Sequence, residues 1–312
     1  MLCIRPFVKA GVAHGCGQCK PCRIARRKLW THRIMLEGMC HIEKAFVTLT
    51  YDNSSLPLVD TLPIRGTLVK KHLQDWLKVF RRRIEPIRVR YYAVGEYGAD
   101  EFVNGHYGRP HYHLVLFGFA SCVRGSTLRN PVTGESRWKE CCDICRLYGE
   151  TWGKGSILLG TVTRDSASYC AEYTVKKMTA SDDRRLHGRA PEFCTMSLRP
   201  GIGAEYMWEV ASALMKNALD EVLDDVPVSL GSGRRKLPLG RYLRRKLRVM
   251  IGKDGDTPEI VLQKMAEEMR PLREAAFNAS SSFAKAIVED GNQVRLNIDG
   301  MEAIYKSVRR LK

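Results

Sequence analysis

The chain has 312 residues, 44% hydrophobic and 27% charged, a balance that excludes a disordered protein and allows one large core or two modest domains. Its 51 lysines and arginines against 34 aspartates and glutamates give a net charge of +17, which favours a polyanionic partner, nucleic acid above all. No apolar run approaches the ~20 residues of a membrane span, so no membrane association is expected. The opening residues MLCIRPFVKAG lack a secretory hydrophobic region, so a reducing cytoplasm is expected. There, eleven cysteines point to metal ligands and buried thiols rather than to a disulfide framework.

In chain order, residues 1–23 read as a Cys-rich knuckle, and the helix formers Ile24, Ala25, Arg26, Arg27, Lys28, Leu29 and Trp30 predict a basic amphipathic helix to about Cys40. The β-branched and aromatic run 45–51 predicts a strand ended by Asp52 and Asn53. Apolar residues at 69, 73, 76, 77, 80 and 84 have helical spacing and predict a helix over 68–84. A second strand is expected over 89–94, with Gly95 at its end and Glu96 after it. A turn-rich segment 97–110 precedes a third strand over 111–118. Residues 119–155 read as an irregular insertion. A fourth strand is expected over 157–163, then a helix that Asp165 or Ser166 caps, a loop through 179–200 and a helix near 203–219. Beyond about 225 a basic segment leads into helices. This order predicts an α+β architecture, a small sheet with helices on one face.

His111 and His113 stand at i and i+2 in an otherwise apolar run, His111-Tyr112-His113-Leu114-Val115-Leu116-Phe117. A strand sends both imidazoles to one side of a rigid sheet, a good arrangement for a divalent cation. If strand 89–94 pairs antiparallel with 111–118, Glu96 lies beside them. Two imidazoles and a carboxylate can then hold Mg²⁺ or Mn²⁺ as a Lewis acid on a phosphate. Two exposed histidines and a solvated glutamate remain the plain alternative.

Further on, Tyr169 and Tyr173 share a helix face, and Lys176 and Lys177 lie one turn beyond. A phenol with a pKa near 10 is a weak nucleophile without a nearby cation, which either lysine supplies. Tyrosines packed on an amphipathic helix are the ordinary alternative.

Taken together, Phe46-Val47-Thr48-Leu49-Thr50-Tyr51, Arg109-Pro110-His111-Tyr112-His113 and Tyr169 through Lys177 resemble the HUH-type rolling-circle replication initiators, in that family's order. Tyr92 through Gly98, Cys16 through Arg23, Met196 through Gly203 and Leu237 through Leu247 look most like the initiators of microviruses, the gokushovirus branch of single-stranded DNA phages. The likeness spans roughly residues 1–250.

The resemblance implies an HUH endonuclease palm, a ferredoxin/RRM-like antiparallel sheet. Glu96, His111 and His113 match its metal ligands, and Tyr169 and Tyr173 match its paired nucleophiles. Such enzymes nick one strand of origin DNA, leave a 5′-phosphotyrosine and a priming 3′-OH, and later rejoin the strand. One departure is Glu172, where many relatives carry a lysine between the tyrosines; Lys176 keeps the better register. The implied layout is a zinc knuckle and basic helix over 1–40, the endonuclease domain over 41–200 and a basic, mainly helical region over 201–312. The implied partners are single-stranded and origin DNA with host helicase and replication proteins, in the host bacterial cytoplasm. No ATP-binding loop of the form GxxxxGK[ST] occurs, so unwinding is expected from a separate helicase.

Cys16, Cys19 and Cys22 supply three thiolates for a tetrahedral zinc, with Cys3 or His14 as the fourth ligand. The microvirus-like pattern, which includes Cys3, favours Cys3. Cys122 with Cys141, Cys142 and Cys145 is either a second zinc site stapling the insertion or a chance grouping. Residues 234–248 carry eight basic residues and no acid, including Arg244, Arg245 and Lys246. Arg81, Arg82 and Arg83 belong to a second basic cluster. Both are expected to meet DNA phosphates, with affinity falling steeply as salt rises. Interleaved leucines and Tyr242 predict a helix packed on the body over the first of these. A non-enzymatic, zinc-stapled nucleic-acid-binding regulator and an HUH transposase or relaxase remain as other readings.

Overall fold

The computed structural model describes residues 3–9, 12–60, 64–98, 102–103, 106–122, 128–129, 136–137, 142–173, 182–232, 235–291 and 296. Alternating β-branched and aromatic runs build a five-stranded sheet from β1 (Lys44–Thr50), β2 (Arg90–Tyr97), β3 (Pro110–Phe117), β4 (Ile157–Gly160) and β5 (Phe193–Met196). The order is β4-β1-β3-β2-β5, and every neighbouring pair is antiparallel. The expected α+β class with an antiparallel sheet is therefore observed.

Helices cover both faces of this sheet rather than one. On one face Ala45, Val47, Leu49, Ala93, Tyr112, Leu114 and Leu116 pack against Leu73, Trp76, Leu77 and Phe80 of α2 (Lys70–Arg83) and Cys145, Tyr148 and Trp152 of α3 (Asp143–Trp152). On the other, Tyr92, Val94, Val115 and Phe117 meet Ile34 of α1 (Lys20–Met39) and Ala167, Cys170 and Ala171 of α4 (Arg164–Tyr173). A central strand covered on both sides must be apolar on both sides, which is why β3 reads as a nearly unbroken hydrophobic run.

Several element boundaries differ from expectation. The supposed irregular insertion contains α3, whose apolar side chains at 145, 148 and 152 keep helical spacing. It stops at Gly153, which takes the left-handed conformation at φ 57°. The expected loop through 179–200 contains the edge strand β5. β2 runs on through Glu96 instead of ending before it. The helix α4 is capped by Thr163, not by Asp165 or Ser166. The Ser166 N–H donates to Thr163 Oγ1 at 3.2 Å and the Thr163 N–H donates to Ser166 Oγ at 2.8 Å, a reciprocal capping box.

The C-terminal part forms its own cluster. Ala204, Met207, Ala211 and Leu214 pack with Leu239, Leu243 and Leu247 against Leu36 of α1. The basic run thus includes a hairpin strand, Arg235–Pro238, and the helix Gly240–Met250 packed on the body. Helices Glu259–Asn278 and Phe283–Asp290 follow. No helix among the described residues is long and apolar enough to cross a membrane.

Candidate active and metal sites

The ladder register sets the composition of the histidine face. In β3, His111 pairs with Glu96 of β2 and Thr50 of β1, while His113 pairs with Val94 and Thr48. Directly paired residues share a face, so both imidazoles, Glu96 and Thr48 lie on the side covered by α1 and α4. Glu96 and His113 are buried and His111 is half-buried.

His113 is held from three directions. Its Nε2 lies 2.9 Å from Glu96 Oε1, its Nδ1 lies 2.9 Å from Thr48 Oγ1, and the Phe46 ring stacks on it at 6.0 Å and 3°. A neutral imidazole that donates from Nδ1 to Thr48 would turn the Nε2 lone pair towards a carboxylate, so a proton or a cation must lie between them. His111 stacks near it with ring centroids 6.3 Å apart and planes 9° apart. Burial, aided by the charges of His113 and Arg109, lowers His111 from 6.5 to about 4, leaving it neutral and able to ligate at neutral pH. Arg109 in turn anchors the start of β3, donating to Tyr51 O at 2.7 Å and Asn53 Oδ1 at 2.8 Å.

The capped helix α4 lies across this face. The half-buried Tyr169 sets its ring edge-on to His113, with centroids 5.0 Å apart and an interplanar angle of 87°. Phe46 meets the same ring edge-on at 6.2 Å. Cys170 and Ala171 point into the core, so the residues between the tyrosines hold the helix down. Glu172 pairs with Arg27 of α1 at 3.8 Å rather than standing beside the tyrosine. Tyr173 closes α4 one turn beyond Tyr169; its side chain, together with Lys176 and Lys177, lies outside the described residues.

A second centre sits at the N-terminus. The sulfurs of Cys3, Cys16, Cys19 and Cys22 lie within 4.8 Å of one another. Backbone N–H groups point at them: Cys16 to Cys3 Sγ at 3.2 Å, Arg5 to Cys3 Sγ at 3.4 Å, and Cys19 to Cys16 Sγ at 3.3 Å. Donation from the Cys19 and Gln18 backbone lowers Cys16 to about 6, whereas burial raises Cys22 to about 12. His14 instead stacks on Phe7 at 5.3 Å. Four thiols in this geometry suit a tetrahedral, thiophilic ion such as zinc.

The histidine face lies within a segment that is similar to known proteins. Residues 44–178, from β1 through α4, match the model of the family described as Replication-associated protein ORF2. The chain is 29% identical over 236 residues to Replication-associated protein ORF2 of Spiroplasma virus 4, covering 74% of this chain and 67% of that one. It is 29% identical over 175 residues to Replication-associated protein VP4 of Bdellovibrio phage phiMH2K, covering 56% and 52%. It is 22% identical over 248 residues to Replication-associated protein ORF4 of Chlamydia phage 1, covering 77% and 55%. The chain is thus similar to replication-associated proteins of three phages, all of them microviruses. It spans only about half the length of the last two relatives. No solved structure matches it.

The matched segment brings Glu96, His111, His113 and Tyr169 together on one side of the sheet. The basic residues expected at DNA are more dispersed. Arg81, Arg82 and Arg83 end α2, which packs on the opposite face. The Arg81 guanidinium lies over the Tyr91 ring at 5.5 Å, Arg83 pairs with Glu150 at 2.9 Å, and Arg82 is exposed. Arg244 pairs with Asp225, as does the buried Arg248 at 2.7 Å, while Arg245 and Lys246 face solvent. The Tyr242 hydroxyl accepts the Gly201 N–H at 2.8 Å, and Arg33 lies over its ring at 4.7 Å. Thr48 and Phe46 were not singled out as site residues by sequence reasoning. Alternation within 44–50 carries the signal, because it puts both on the His113 side once β1 pairs with β3.

Proposed function

We propose that this chain initiates rolling-circle replication of a phage genome by nicking one strand of the origin through a tyrosine and rejoining it afterwards. The observation that carries the reading is the Tyr169 ring set against His113, on the face that also presents His111 and Glu96. The family match and the three phage relatives, each named a replication-associated protein, support it independently.

The donor set fits a divalent cation that accepts nitrogen as well as oxygen, Mn²⁺ more readily than Mg²⁺. When bound, such an ion polarises the scissile phosphate as a Lewis acid. His111 offers a neutral ring nitrogen and His113 a second ring nitrogen, Glu96 supplies the negative charge, and Thr48 fixes the His113 ring from behind. The Tyr169 oxygen attacks phosphorus as the bond to the 3′ oxygen breaks. The phenol proton leaves to solvent, and the departing 3′ oxygen takes up a proton. One phosphodiester replaces another, so the step is reversible. Tyr173, one helical turn on, serves as the second nucleophile at the regenerated origin, with Lys176 or Lys177 neutralising phosphate charge.

Zinc on Cys3, Cys16, Cys19 and Cys22 braces the N-terminal knuckle. The division into 1–40, 41–200 and 201–312, the phosphate contacts by Arg82, Arg245 and Lys246, the host helicase and the host bacterial cytoplasm belong to the same proposal.

The test is a denaturing gel for covalent protein–DNA adduct, using fluorescent single-stranded fragments tiled across a phage genome with Mn²⁺. The expected adduct needs the metal, weakens in Tyr169→Phe and Tyr173→Phe, and vanishes in the double variant. Tight, salt-sensitive binding with no adduct on any fragment would favour the non-enzymatic regulator instead.

A further inference from the structure

Three cysteines converge on the face of the sheet opposite to the histidines. Cys122 lies beyond the end of β3, Cys142 is the residue that caps α3, and Cys145 sits in the first turn of that helix. Their sulfurs lie within 4.8 Å of one another. In a tetrahedral zinc site with Zn–S bonds of about 2.3 Å, neighbouring sulfurs stand roughly 3.8 Å apart, so these three need to close by less than about 1 Å. Cys142 and Cys145 also have the C-x2-C spacing of metal knuckles.

We propose that Cys122, Cys142 and Cys145 form a second structural site for a thiophilic divalent cation, zinc by preference. Three features of the surroundings favour thiolate ligation here over plain packing. Cys142 and Cys145 sit at the N-terminal end of α3, the end of a helix whose dipole favours negative charge. Cys122 and Cys145 are buried against the α2–α3 core, where thiolate charge needs a compensating cation. The fixed elements on either side are already tied together independently of the sulfurs. Tyr148 of α3 donates to Ala120 O at 3.3 Å, and Ser121 donates to Gly160 O of β4 at 3.1 Å. Each thiol gives up its proton on binding, and water or an added thiol completes the tetrahedron. The ion would clamp the two ends of segment 123–141 at their base, joining the strand that carries the histidines to the helix behind it.

This site is independent of the nicking proposal, and its test does not read nicking. Zinc bound to the full-length chain is counted by native mass spectrometry for wild type, Cys19→Ser and Cys142→Ser. The expected result is one fewer ion in each variant than in wild type. On wild-type protein alone, alkylation of the half-buried Cys142 is followed by peptide mapping with zinc loaded and after chelation. Zinc is expected to slow it at least tenfold. An unchanged ion count in a folded Cys142→Ser, equal alkylation in both states, or loss of two hydrogens showing a disulfide within the trio would overturn the proposal. If Cys142→Ser does not fold, the alkylation ratio decides alone.

Discussion

Thr48 and His113 face each other across the β1–β3 ladder, with the hydroxyl 2.9 Å from Nδ1. That bond fixes which way the embedded imidazole presents Nε2 to Glu96. Partners behind a metal-ligating histidine typically contribute a factor of roughly 10–100 in metal affinity. Thr48→Val should therefore weaken Mn²⁺ binding by about that factor in a calorimetric titration, and Thr48→Ser should restore it. A purely structural Thr48 would lower the melting temperature without moving the Mn²⁺ midpoint.

Glu37 is a buried carboxylate in α1 that binds the Arg90 guanidinium and the Gly203 N–H, joining the histidine-bearing sheet to the C-terminal cluster. Burial pushes its pKa up, but the His41 imidazole 3.5 Å away and the bonds from Arg90 and Gly203 outweigh this and hold it below 4.5. A depressed folded value stabilises fully above the unfolded value of 4.5 and less as pH falls through the folded one. Glu37→Gln should cost about 2–3 kcal/mol at neutral pH, from the loss of charge-assisted bonds. In urea unfolding, its difference from wild type should shrink below pH 4.5 and persist above it.

Gly155 has φ 149°, and an added Cβ would lie 2.4 Å from both Thr50 O and Asp52 N. These are backbone atoms, which cannot turn aside as a flexible side chain can. Gly155→Ala should cost at least about 2 kcal/mol, as overpacking and backbone strain combine. Gly231→Ala, with no neighbour within 4 Å of its Cβ, provides the control. Thermal unfolding of the two variants checks the contrast.

The Tyr242 hydroxyl is the acceptor for the buried Gly201 N–H. Tyr242→Phe leaves that donor without this partner and should cost about 1–3 kcal/mol. Because the ring remains, the Arg33 contact survives, and fluorescence-anisotropy affinity for single-stranded DNA should stay within about twofold of wild type.

The central strands and the tyrosine helix were legible because period-two and period-3.6 patterns are local. Glu96 was legible as a neighbour of the histidines because antiparallel pairing follows from a connecting loop of the right length. Its inclusion in β2 was not, since the glycine before it reads as a strand end although Gly95 is packed against Phe193 of β5. Likewise β5 is a four-residue edge strand whose partner lies about a hundred residues away in sequence, and α3 hides within a Cys- and charge-rich stretch. The partners of the basic clusters were not legible for another reason. Sequence reports charge but not whether Glu150, Asp225 or an aromatic ring is already beside it.

The strand that carries both histidines is paired from His111 to Phe117 with both β1 and β2. Residues with such pairing on two sides open to solvent only when much of the molecule unfolds. Backbone amides at His111 and His113 should therefore be among the slowest to exchange with deuterium. On the proposed reading the centre is then a fixed anvil on which DNA must be laid in the right pose, and discrimination between origins would fall to the loops and helix ends around it.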